Sequence, residues 1–170
     1  MPIPRAQLRL DPPELEKLLD EAREVHVATV SPDGHPHVVP LWFVWHAGAI
    51  WVNSLIRSRR ARDVEAGSPV AVCADAGFEY EDLRGVVLRG RFLDASADPV
   101  LGEAQAIYAR KYWGGDVVPP VRSHAWMKLV PENAASWDFR KIPAGRDKRL
   151  EAKRARAAAL QGADGETDPA

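Results

Sequence analysis

The densest candidate chemistry in the chain is the run Arg57-Ser58-Arg59-Arg60. A serine able to cap a helix, set among guanidinium groups, suits an anion: free backbone N–H groups, the helix dipole and bidentate arginine donors all favour negative charge. A phosphate is the obvious guest. The same run, continued by Arg62, also reads as a solvated cationic helix face, and these residues alone do not separate the two readings.

Other chemistries have weaker support. His35 and His37 are expected on one strand face, yet no cysteine or carboxylate joins them at a zinc spacing, and His26, His46 and His124 stand alone. Cys73 lies in an apolar run and reads as a small buried residue rather than a nucleophile. Gly77, Gly85 and Gly90 match neither the dinucleotide fingerprint nor the phosphate loop, and Ser54 and Ser58 lack the Gly-x-Ser-x-Gly surround of a hydrolase. What remains is a binding site without a protein nucleophile. The aromatic-lined run Val39-Pro40-Leu41-Trp42, the polar pair Asn53 and Ser54, and the arginine turn together suit a phosphorylated aromatic cofactor. Its ring would lie on the strand and its phosphate on Ser58, Arg59 and Arg60, leaving the protein to hold and orient the reactive group.

These residues need a sheet to position them. Val25 to Val30 is a short β-branched run ending at Pro32-Asp33-Gly34, which predicts a hairpin. Val38 to Trp45 is a second strand, in which Pro40 marks an edge, a bulge or a place where a ligand replaces a neighbour. Ala49 to Ser54 is a third, with Ile50, Val52 and Ser54 on one face and Trp51 and Asn53 on the other. A helix follows the arginines through Glu65. Further strands are expected at Pro69 to Ala74, Leu83 to Leu93, Arg122 to Leu129 and Ala134 to Phe139. Asp11-Pro12-Pro13-Glu14 opens a helix striped by Leu15, Leu18, Leu19 and Ala22, and Asp98 to Tyr112 is another. Six or seven antiparallel strands with two or three helices make a small barrel or rolled sheet the economical architecture. Trp42 and Trp45, at odd separation on one expected strand, face opposite sides, so some of the six tryptophans must meet a ligand or a second subunit.

The chain has 170 residues, 46% hydrophobic and 28% charged, which fits one domain, assigned to residues 1–145. Residues 146–170 form a charged, Ala-rich tail, expected to be partly helical and then disordered. A net charge of −1 leaves no global cationic field for nucleic acid. A single cysteine excludes an internal disulfide, and no apolar stretch approaches the length of a membrane helix. The expectation is a soluble cytoplasmic protein with no membrane or nucleic-acid partner.

Three segments, taken in order, resemble the split-barrel flavoprotein superfamily that includes pyridoxamine 5′-phosphate oxidase and the deazaflavin-dependent reductases. They are Ala28-Thr29-Val30-Ser31-Pro32-Asp33-Gly34-His35-Pro36-His37-Val38-Val39-Pro40-Leu41-Trp42-Phe43, then Ser58-Arg59-Arg60-Ala61-Arg62-Asp63, then Arg84-Gly85-Val86-Val87-Leu88-Arg89-Gly90. The resemblance implies a mainly β split barrel acting as a homodimer, with FMN or the deazaflavin coenzyme F-420 bound between subunits. By the same resemblance the cofactor residues are Val39, Pro40, Leu41, Trp42, Asn53, Ser54, Arg57, Ser58, Arg59 and Arg60, with Arg60 replacing the usual Lys. Tyr112, Trp113 and Trp126 would wall the substrate side, with Tyr112 a candidate proton donor. Gly85 stands where the oxidases carry a flavin-contacting Gln, and Trp137-Asp138-Phe139-Arg140 lacks their Arg-Leu-His substrate motif. The implied activity is hydride transfer to or from a small organic molecule. The alternative is a non-catalytic flavin, haem or vitamin-phosphate binding protein on the same fold.

Overall fold

The computed structural model describes residues 4–142 and 154–156; the expected tail, 146–170, lies largely outside them. Helix α1 (Pro12–Glu21) starts on a reciprocal cap, in which Asp11 Oδ1 accepts from the Glu14 amide and Glu14 Oε2 accepts from the Asp11 amide. Nine strands follow among the described residues: β1 (Val25–Val30), β2 (Pro36–Leu41), β3 (Phe43–His46), β4 (Ala49–Leu55), β5 (Val70–Ala76), β6 (Arg84–Gly90), β7 (Phe92–Asp94), β8 (His124–Leu129) and β9 (Asn133–Asp138). Helix α2 (Arg59–Glu65) sits between β4 and β5, and α3 (Leu101–Trp113) between β7 and β8.

The strands form two antiparallel sheets, ordered β2-β1-β5-β6-β9 and β3-β4-β8-β7. Between them lies the main core, where Val25, Val27, Val72 and Leu88 of the first sheet meet Phe43, Ile50, Val52 and Leu129 of the second, closed at one side by Leu18 and Leu19 of α1. A second core lies behind the four-stranded sheet, where Val44 and Trp51 pack against Ala104 and Tyr108 of α3. The fold is the expected mainly β split barrel with three packing helices.

Two expected strands are each two strands. The run Val38 to Trp45 breaks at Trp42, with β2 in one sheet and β3 in the other, and Leu83 to Leu93 breaks at Arg91 in the same way. Strands that change sheets make the corners of such a barrel, and a continuous apolar run conceals the bend because both halves bury side chains. Gly90 permits the second corner, since a Cβ there would come within 2.9 Å of the Val130 carbonyl oxygen. The first corner removes the premise that Trp42 and Trp45 share a strand. Trp45 packs on the main core, whereas Trp42 stays exposed at the bend. Pro40 does lie on an edge strand, β2 being paired only to β1 among the described residues. His35 precedes β2 and pairs with Asp33 at 3.1 Å, so it shares no strand face with His37.

On the outer face of the larger sheet, Gly85 sits directly opposite Trp137. A side-chain carbon at Gly85 would overlap the indole. Gly85→Ala is therefore expected to displace Trp137 and destabilise the fold by about 1–3 kcal/mol by overpacking. Denaturant melts should show that loss in the natural background and little of it beside Trp137→Ala; an unchanged melt for Gly85→Ala alone would refute the contact.

Candidate functional site

The register of β4 decides where the polar residues go. Its pairing with β8 sets Asn53 opposite Trp126 and Ser54 opposite Ala125, so the two neighbours point to opposite faces of the sheet. Ser54 is buried and faces α2. Asn53 faces the α3 side together with Trp126 and His124.

Helix α2 begins as the sequence predicts, with Ser58 Oγ accepting from the Ala61 amide at 3.1 Å. Its arginines then divide. Arg57, Arg59 and Arg62 are exposed, whereas Arg60 is only 5% exposed and turns inward. Arg60 Nη2 donates to Ser54 Oγ at 2.5 Å, and its Nε is buried without a partner. No carboxylate pairs with this guanidinium among the described residues, and desolvation pulls its pKa below the usual arginine value. Ser54 also walls a cleft of about 320 Å³ bounded by Ile56, Ala61, Val64 and Trp126. One turn further on, buried Asp63 Oδ2 accepts from Thr29 Oγ1 at 2.7 Å, fixing α2 over β1.

Thr29 pairs with His37, so α2 lies over the His37 end of β2. Leu41 is four residues along, roughly 13 Å at the rise of a strand. The structure thus brings Ser54, Ser58, Arg59 and Arg60 together, with Arg57 beside them, and sets Val39, Pro40, Leu41 and Trp42 on the strand leading away. Trp42 ends that path, its ring stacked on Tyr112 at 4.7 Å and 6°. Asn53 and Trp126 form a third group. Trp113, at the end of α3, is exposed and joins none of them.

Tyr112 is held as a staple. Its hydroxyl accepts from the Phe43 amide at 3.1 Å and lies 2.8 Å from the Arg23 carbonyl and 2.7 Å from the Phe43 carbonyl, either of which can take its proton. Desolvation raises its pKa. With its proton committed to the backbone, the hydroxyl is not poised to donate to a ligand. Beside it Lys111 Nζ sits 4.5 Å from the Phe43 ring centroid and donates to the Leu19 carbonyl at 3.5 Å. Lys111 was not legible from sequence as a half-buried cation, because helical spacing alone places it on the flank of α3. Gln105 and His124, which join Asn53 and Trp126, were missed for a related reason: the β4–β8 register places His124 and Trp126, and only the packing of α3 brings Gln105 to them.

The pyridoxamine 5′-phosphate oxidase family matches residues 11–138. The chain belongs to that family. A comparison with curated proteins finds no match. Among solved structures, the conserved hypothetical protein Rv2991 from Mycobacterium tuberculosis is similar with a TM-score of 0.72 at 23% identity, covering 83% of this chain and 92% of that one. An F-420 reductase gives 0.56 at 23% identity over 74% of this chain and 98% of its own. HutZ, the heme storage protein from Vibrio cholerae, gives 0.61 at 17% identity over 75% and 93%. At these identities the likeness is one of fold. Against this family background the Trp137 indole over Gly85 leaves no room for a side chain there, and the Arg140 guanidinium is tied to Asp138 by two hydrogen bonds of 2.9 and 2.7 Å.

Burial pulls the Lys111 ammonium down to about 8, with the Arg23 charge adding to the effect and Asp20 opposing it. Between that pH and about 10, where a free lysine titrates, the unfolded chain binds more protons than the folded one. The contribution of Lys111 to stability therefore rises with pH across this window. Lys111→Met should flatten the rise in denaturant melts compared across it, and an identical pH profile in the two proteins would contradict the assignment.

Proposed function

We propose that the chain binds a phosphorylated flavin-type cofactor, FMN or the deazaflavin coenzyme F-420, and transfers hydride between that cofactor and a small organic substrate. The observation that carries this is the buried Arg60, a cation whose only protein partner is the neutral Ser54 hydroxyl among the described residues. Burying an unpaired charge costs several kcal/mol, and a phosphate drawn to its free N–H groups would offset that cost. The residues present thus fit an anionic cofactor. Ser58 would donate its hydroxyl proton to the same anion while its oxygen keeps the helix cap. Arg59 would close over the anion from the solvent side, and Arg57 and Arg62 would meet the acidic tail of F-420 if that is the cofactor.

When bound, the ring supplies the redox chemistry. This chain's part is to hold it along β2, whose unpaired edge offers backbone groups between Val39 and Leu41, with Trp42 at the far end fixed by Tyr112. Val30, Val38 and Pro40, exposed on the outer face of the same sheet, support a homodimer as the working unit. No helix among the described residues is long and apolar enough to cross a membrane, and a cytoplasmic site of action is part of the proposal. The second reading, a non-catalytic binding protein for a flavin, haem or vitamin phosphate, is favoured by the fold shared with a heme storage protein.

Titration with FMN and with F-420, followed by tryptophan quenching, tests the binding. Arg59→Ala with Arg60→Ala is expected to weaken the better ligand by roughly 2–5 kcal/mol, one or two charged hydrogen bonds for each arginine. Unchanged affinity in a folded double variant would move the phosphate elsewhere. A bound cofactor that a reductant bleaches and an added acceptor restores supports catalysis, a bound cofactor that does not cycle supports the second reading, and light scattering reads the dimer.

A further inference from the structure

We infer that the loop between β5 and β6 is the docking surface of the chain's own basic segment, residues 146–156, held there by charge and released by salt. The loop carries Glu79, Glu81 and Asp82, the last two within a single 3-10 turn, Tyr80–Asp82. Among the described residues, Glu79 and Glu81 have no ion-pair partner within the sheets and helices of the domain. Their cation comes from beyond them. Arg154 Nη2 lies 2.8 Å from Glu79 Oε2 and 3.5 Å from Glu81 Oε2, so one guanidinium bridges two carboxylates that repel each other without it.

Two further observations make that contact the anchor of a longer segment. Residues 146–156 hold six basic residues against two acidic ones, so the charge offered to the loop extends along the segment and is not confined to Arg154. The preceding part of the chain also ends beside the loop: the Phe139 amide donates to the Leu83 carbonyl at 2.9 Å, and the Phe139 ring lies 5.0 Å from that of Tyr80. Roughly a dozen positions separate Ile142, next to this contact, from Arg154, a tether that sets an effective concentration on the order of a millimolar. Other basic groups are placed elsewhere. Arg140 is committed to Asp138, and α2 lies at the opposite end of β5, where the Val30 amide donates to Ser68. The length of β5, roughly 20 Å, separates that end from the loop. Both Arg154 pairs are exposed, so each adds little by itself and is screened by salt, and the tether is what lets them sum to a docked state. The inference goes beyond the cofactor reading and does not depend on it.

Trypsin cleavage within residues 146–156 of the full chain reads the docked state, since a protease needs the segment free. In low salt, Glu79→Gln with Glu81→Gln, which leaves the segment itself unaltered, should be cut roughly fivefold faster than the natural chain, the change in population that one good exposed ion pair produces. At about 1 M salt, where charges act over only ~3 Å, the two proteins should be cut at the same rate. NMR of the full chain gives a second reading: Arg154→Gln should move the amide signals of Glu79, Tyr80 and Glu81 and leave those of β1 in place. Equal cleavage in low salt, or loop signals that Arg154→Gln does not move, would overturn the inference. A cleavage rate that changes with protein concentration would overturn it as well, by placing the segment on a second copy of the chain.

Discussion

β4 is buried on both faces, and the sorting of polar residues in this protein follows from that. Ile50 and Val52 fill the space between the two sheets while Trp51 fills the space under α3, so neither face can slip without exposing a core. A shift of one residue would exchange the two sets, driving Trp51 into a barrel already filled by Phe43 and Leu129. The register is thereby fixed as far as Ser54, and that in turn settles which polar side chain meets α2 and which meets α3. Two adjacent polar residues end in separate environments because the strand carrying them is apolar on both sides up to that point.

Helix α2 shows how a short polar segment can seat on such a scaffold. Seven residues are too few to be stable on propensity alone, and the inward face carries Arg60 and Asp63 beside Ala61. Asp63 reaches the Thr29 hydroxyl and Arg60 reaches the Ser54 hydroxyl, so each charge meets a neutral group on a different strand. The two buried charges are not paired with each other. A well-packed apolar helix would serve stability better, and an inward guanidinium with spare donors is the sort of local conflict expected where a ligand completes the structure.

At the opposite end of β2 the polar groups are satisfied within the chain. The Tyr112 hydroxyl joins the Phe43 backbone to the Arg23 carbonyl, Trp42 stacks on its ring, and Lys111 lies over Phe43. This cluster locks the corner where the chain passes from one sheet to the other. Its rigidity gives the β2 path a fixed far end, while the end near α2 holds the unsatisfied donors.

Sequence by itself determined the strand at Val25 to Val30, the hairpin at Pro32-Asp33-Gly34, the Ser58 cap and the alternation of Ile50, Val52 and Ser54 against Trp51 and Asn53, because each rests on local periodicity or turn chemistry. The motif order likewise sufficed to place the chain in its family. Only the tertiary structure decided that Arg60 is buried while Arg59 is exposed, that the runs through Trp42 and Arg91 bend between sheets, and that Asn53 meets Gln105 and His124 rather than the arginines. Those outcomes depend on which strands pair and on which side a helix lands, and residues distant in the chain set both, through the cost of leaving a core half filled or a polar atom unpaired.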